Sequence, residues 1–201
     1  MLKQTIYSLL AIAFVLLAFN AEAQEVPGAH LAIKSPAILE KSEINKVYDE
    51  LKERMAGGYE LSKLPIIKNY QSWKQYNNQP YISATHGQRY VNNYANRLVT
   101  NYGNLKKGGA YPVGTVFAKD TITVTAQKKT YPGAIFIMEK LAKGKSPKTA
   151  DWRYVMVLPD GSMFGDTIGD QPEEVEYCYA CHIQKSRQDY VFFVPGKYRA
   201  D

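Results

Sequence analysis

Apolar residues recur at helical spacing early in the chain and at strand spacing later. From Ser35 to Met55, Ile38, Leu39, Ile44, Val47, Leu51 and Met55 stand among charged residues. This is the repeat of a one-sided helix, and Gly57-Gly58 is the expected stop. Leu64-Pro65-Ile66-Ile67 opens a connecting region that runs through Trp73 to Pro80, and Gln88 to Leu105 reads as a second helix, rich in asparagine and tyrosine for one. Beyond Tyr111 the period changes. In Thr115 to Thr125, residues Val116, Ala118, Ile122 and Val124 share one parity, which predicts either a half-buried strand or a hairpin turning near Asp120. Ala134 to Met138 is a short apolar run between Pro132-Gly133 and Lys140. Trp152 to Leu158 is another, and Pro159-Asp160-Gly161 turns it back into Ser162 to Phe164. Val191 to Val194 gives a last strand before Pro195-Gly196. Helices first and short strands afterwards predict the α+β class: an antiparallel β-sheet with flanking helices. A four-helix bundle is excluded, because the β-rich stretch from 111 to 164 supplies no long amphipathic helices.

The first residues carry a different signal. Lys3 precedes an almost wholly apolar run, Ile6 to Phe19, and Ala21-Glu22-Ala23 offers small residues around a cleavage site before Gln24. This reads as a secretory signal, with an uncleaved N-terminal anchor as the alternative. The run is shorter than the roughly 20 residues that span a bilayer, no later stretch approaches that length, and no cysteine lies near the cleavage point for lipid attachment. The expected divisions are a signal peptide at 1–23, an N-terminal helical extension at 24–58 and one main domain at 59–201, with the product periplasmic or secreted. Lysine plus arginine exceed aspartate plus glutamate by six, 25 against 19. The basic residues are dispersed and form no block interleaved with aromatics, so nucleic-acid binding is not expected. An acidic redox partner suits the charge, since complementary fields speed encounter.

The chain has two cysteines, both in Cys178-Tyr179-Ala180-Cys181-His182. An exported protein with two cysteines would ordinarily form a disulfide. The histidine directly after the second cysteine changes that reading: the spacing lets both sulfurs bond the vinyl groups of one porphyrin while the histidine ligates its iron. Zinc would need two more ligands, with only His30 and His86 left as histidines. A thioredoxin-like pair would sit early in a strand-helix-strand unit, not near the C-terminus. The motif therefore predicts one covalently bound haem c, with Cys178 and Cys181 as attachment points and His182 as the metal ligand. Just 19 residues follow His182 and none is methionine, so any sixth protein ligand must come from upstream. His86 is the nearest candidate, and would make a six-coordinate electron carrier. Met138 and Met156 fit the core better, and most of the 16 tyrosines suit amphipathic packing.

Four pieces in order resemble the cytochrome P-460 family, which includes the β-sheet cytochromes c′ (cytochrome c′-beta). They are Asn69-Tyr70-Gln71-Ser72-Trp73; Lys106-Lys107 leading through Tyr111-Pro112 to Gly114-Thr115-Val116-Phe117-Ala118-Lys119; Asp151-Trp152-Arg153-Tyr154; and the haem motif followed by Asp189-Tyr190-Val191-Phe192. Together they cover about residues 60 to 195. The resemblance implies an antiparallel sheet with flanking helices, a homodimer, and a haem with His182 on one side and an open position on the other. In the family's enzymes a lysine is joined to the porphyrin edge and hydroxylamine is oxidised; relatives without that bond bind nitric oxide or similar small ligands.

Lys119 is the matching lysine. On a strand it shares a face with Thr115 and Phe117, opposite Val116, Ala118 and Ile122; the plain alternative is a solvated lysine. Glu139 is a candidate distal carboxylate, a general base for a substrate that loses protons as electrons leave. Lys140 is an alternative match there, and a surface charge the plain reading. Arg89 corresponds to a family arginine that would hold a haem propionate through two parallel hydrogen bonds, or else lie on the surface.

Overall fold

The computed structural model describes residues 32–105 and 108–200. The expected signal at 1–23, His30 and the Lys106-Lys107 pair lie outside the described residues.

Helix α1, Lys41–Glu60, forms where the helical spacing predicted one. Its first turn is closed by the Glu43 carboxylate, which accepts the Glu40 N–H at 2.8 Å. Ile44, Met55 and Tyr59 are fully buried along one stripe, flanked by Val47, Tyr48 and Leu51. The helix starts later than Ser35 and continues through Gly57-Gly58. Gly58 has a packing role there instead of a stop signal: a Cβ at this position would overlap the Pro159 carbonyl oxygen. Bare backbone lets the end of α1 close on the turn between the last two strands.

Two short 3₁₀ turns, Pro65–Ile67 and Tyr70–Ser72, lead into a sheet of eight antiparallel strands. These are β1 (Lys74–Gln75), β2 (Tyr81–Ser83), β3 (Arg89–Ala95), β4 (Val116–Val124), β5 (Thr130–Pro132), β6 (Ile135–Lys140), β7 (Trp152–Val157) and β8 (Met163–Asp166). The main order is β1-β3-β4-β6-β7-β8; β2 also pairs with β3, and β5 with β4. The α+β expectation is met. Pro159-Asp160-Gly161 makes the expected turn between β7 and β8, with Gly161 at φ +83°.

Two elements differ from the sequence expectation. Residues 88–105 form β3 and then turns, not a helix. Asn92 and Asn93 look like solvent-facing residues in sequence, yet both are buried. Asn92 Nδ2 donates to Asp120 Oδ1 at 3.3 Å, while the Asn93 N–H donates to Asn77 Oδ1 at 2.7 Å. Once asparagine counts as interior, both faces of this segment are buried, which suits a central strand. Val191 to Val194 pairs with no strand. Its polar backbone is met by side chains instead: the Val194 N–H donates to the Tyr102 hydroxyl at 2.8 Å, and Arg199 Nη2 donates to the Val194 carbonyl at 2.9 Å.

The sheet divides two cores. Val116, Ala118, Ile122 and Val124 of β4 pack with Ile135, Ile137, Val155 and Val157 against α1. Phe117, with Met138, Trp152, Tyr154 and Met156, faces the C-terminal segment. β4 crosses both environments without a turn at Asp120. That carboxylate is fully buried on the α1 side, where it accepts the Tyr70 hydroxyl at 2.9 Å and the Tyr48 hydroxyl at 3.1 Å. No described helix is long and apolar enough to cross a membrane.

Two outcomes follow from this packing. Gly58→Ala is expected to lower stability by about 1–3 kcal/mol, the usual cost of forcing a methyl into filled space, and urea unfolding measures it. Burial pushes the Asp120 carboxyl up from 3.8 to about 6, although its hydrogen bonds act in the other direction. The folded chain thus binds this proton more tightly than the unfolded one. The stability contributed at this site is fully present below pH 3.8 and is lost as pH rises through about 6. Asp120→Asn is expected to remove that pH-dependent component from a series of unfolding midpoints.

Candidate haem site

Helix α2, Glu176–His182, puts Cys178, Cys181 and His182 at i, i+3 and i+4, so all three look out from one face. They border a cavity between α2 and the sheet that holds about 870 Å³ of space, open solvent at its mouth included. Across it stand Phe117 and Lys119 of β4, Phe136 and Met138 of β6, and Thr85 and His86 from the turn between β2 and β3. The lining is mostly apolar, as cofactor sites are.

His182 is buried between the rings of Tyr154 and Phe192. Its Nδ1 lies 2.6 Å from the Tyr190 carbonyl oxygen. A carbonyl can only accept, so Nδ1 carries the hydrogen and Nε2 keeps a bare lone pair, the arrangement common to metal-ligating histidines. Burial first, and then the Lys119 ammonium, push the imidazole down to about 4, so the ring is neutral near pH 7. The Tyr190 carbonyl is aimed back at the ring by two successive left-handed residues, Asp189 at φ 47° and Tyr190 at φ 65°.

That strained pair is held by a carboxylate. Asp189 Oδ1 accepts from Lys140 Nζ at 2.7 Å and from Trp152 Nε1 at 3.3 Å, while Oδ2 accepts the Tyr111 N–H at 2.8 Å. All of these groups are largely buried, and the Lys140 ammonium also sits 4.8 Å from the Trp152 ring centre. Nothing in the pattern of the sequence pointed to this role for Asp189. The resemblance included Asp189-Tyr190 as a match without assigning it work.

The two cysteines are free thiols, each half-buried. Burial pushes the Cys178 thiol up to about 12. Lys119 projects from β4 on the Phe117 side, as strand alternation predicted, and burial alone brings its amine down to about 8. Among the described residues no carboxylate pairs with it.

Glu139 is not brought to this cavity. It lies opposite Arg153 in the β6–β7 register, on the α1 face of the sheet, and accepts from Arg153 Nη1 at 3.0 Å; Arg153 Nη2 also reaches Asp166 at 2.6 Å. Its alternative, Lys140, is on the cavity face but is taken up by Asp189. Arg89 opens β3 beside the cavity without lining it. Its Nε donates to Thr123 Oγ1 at 3.1 Å, and no carboxylate among the described residues meets the rest of the guanidinium. Met138 lines the cavity, and Met156 is buried behind it.

A haem suits this chemistry. Two thiols and an imidazole with a free lone pair share one helix face, aromatic rings supply flat walls, and the buried Tyr154 hydroxyl in the cavity wall has no hydrogen-bond partner. An occupant would give that hydroxyl a partner, whereas the Tyr111 and Thr115 hydroxyls, likewise buried and unpartnered, do not line the cavity. These features describe a cytochrome of the c type built on a β-sheet.

The model of the Cytochrome P460 family matches residues 67–193. The chain belongs to that family, whose proteins carry haem, and its haem motif and sheet lie within the match while α1 lies before it. A comparison with curated proteins found no match.

Removing the Asp189 carboxylate strands a buried ammonium. Asp189→Ala is therefore expected to cost about 3–5 kcal/mol, as measured by urea unfolding. Asp189→Asn, which can still accept two of the three bonds, is expected to lose less.

Proposed function

We propose that this chain is an exported monohaem cytochrome, with thioether bonds from Cys178 and Cys181, His182 on the iron, and an open position on the opposite side. In this reading it is a haem enzyme of the hydroxylamine-oxidising kind. The observation that carries it is Lys119, whose largely desolvated amine faces the Cys-X-X-Cys-His helix across one cavity. The bound haem would supply an iron that takes up a small nitrogen ligand and passes electrons on.

The protein's own groups have separate tasks. His182 is kept in its ligating tautomer by the Tyr190 carbonyl. Phe117, Phe136 and Met138 exclude water from the open side. Arg89, a half-buried cation with no carboxylate partner among the described residues, suits a propionate at the rim. Lys119 with its amine deprotonated is placed to bond the porphyrin edge. Such a bond exchanges one N–H and one C–H for a C–N bond, and the protons and electron pair released go to an oxidant such as a peroxide. The charge of +6 supports an acidic protein as electron acceptor, and the family resemblance supports a homodimer.

A second reading is favoured by the cavity walls: with Glu139 on the other face, no carboxylate lines the site among the described residues. That suits a non-enzymatic protein that holds nitric oxide on the iron, as the β-sheet cytochromes c′ do. Intact-mass and peptide analysis of the purified protein separates the two. The first reading expects the Lys119 peptide to remain attached to the haem peptide and to be released by Lys119→Ala. A free Lys119 peptide in the unmodified protein, together with nitrosyl formation but no hydroxylamine turnover, would favour the second.

A further inference from the structure

The cavity contains two imidazoles, and their Nδ1 atoms meet different kinds of partner. His182 Nδ1 faces a carbonyl and must donate to it. His86 Nδ1 instead lies 2.8 Å from the Ser83 hydroxyl and 3.2 Å from the Thr85 hydroxyl. Neither hydroxyl has another partner among the described residues, and a hydroxyl can donate as well as accept, so both are free to direct a proton at Nδ1. With Nδ1 accepting, the hydrogen of His86 is on Nε2, which has no hydrogen-bond partner among the described residues. The ring is steadied edge-on against Phe136, with centres 5.0 Å apart. Burial, then Lys119, push its proton affinity well down, so the ring is neutral and carries one N–H.

We infer that His86 is the distal hydrogen-bond donor of this site, presenting Nε2–H to the acceptor atom of a ligand on the open side of the iron. This rests on the haem reading above and adds a ligand class to it: small ligands with a lone pair on the atom nearest His86, such as bent N–O species and azide, are favoured over those without one. The tautomer that donates cannot also ligate iron through Nε2. On this inference His182 serves the metal and His86 what the metal binds, although both are histidines on one cavity.

The test compares the haem-loaded wild type with His86→Leu and His86→Gln, the second of which keeps an N–H donor. Azide affinity of the ferric protein is expected to fall about tenfold to a hundredfold in His86→Leu, the worth of one hydrogen bond to a charged acceptor, and to be largely restored in His86→Gln. The C–O stretch of the ferrous carbonyl complex should move to higher frequency in His86→Leu and return in His86→Gln. Unchanged azide affinity and an unchanged stretch in a loaded His86→Leu protein would overturn the inference while leaving the haem reading intact. So would a low-spin ferric wild type that becomes high-spin in His86→Leu, since the imidazole would then be on the iron itself. A colourless wild type with its cysteines bridged would instead overturn the haem reading and this one together.

Discussion

The Cys-X-X-Cys-His segment stays on the sheet because a buried carboxylate leaves it no comfortable alternative. Asp189 accepts from a lysine of β6, a tryptophan of β7 and the backbone of Tyr111, three points far apart in sequence. Breaking any one of these in a dry interior leaves a charge or a polar group without solvent, and that loss is larger than the modest net gain of making the bond. The chain after α2 is thereby fixed from the sheet side. Its next residue, Tyr190, can keep an unusual backbone angle and hold the His182 ring by its carbonyl. A surface-like interaction at this place would allow the left-handed pair to relax, and the imidazole would turn with it.

The sheet does more than support this segment. Its α1 face is an ordinary core into which a ring of hydroxyls has been set around Asp120, while the opposite face is left incompletely filled, with an orphan phenol and a lysine that has no counter-ion among the described residues. Burial acts on both groups in the sense expected for their charges, lifting the carboxyl of Asp120 and lowering the amine of Lys119. Only the first is compensated by protein hydrogen bonds.

Much of this was legible in the sequence. The Cys-X-X-Cys-His spacing marks out the helix that borders the cavity, and alternation along β4 puts Lys119 beside Phe117. What failed did so for identifiable reasons. Asn92 bonds to Asn77 and Asp120 and Asn93 to Asn77 and Tyr81 inside the fold, and polarity alone cannot reveal a buried asparagine, so β3 read as helix. Glu139 and Lys140 are adjacent in sequence and point to opposite faces. Their assignment required the register with β7, which is set by pairing partners and not by local pattern. The role of Asp189 depends on groups brought from remote strands and turns, and no spacing along the chain encodes such meetings.

Lys119 and Asp120 occupy neighbouring positions on β4 yet live in opposite settings, the cation over the cavity and the anion among tyrosines. Sliding β4 by one residue against its neighbours would exchange them. The carboxylate would then enter an apolar hollow lacking hydroxyl donors, and the ammonium would meet phenols in a closed core. Each misplacement is unfavourable in its own right, beyond the hydrophobic mismatch that accompanies any slipped strand. Two adjacent ionisable residues thus act as a key for alignment of the central strand, so that the register positioning the cavity wall is favoured by electrostatics as well as by hydrophobic matching.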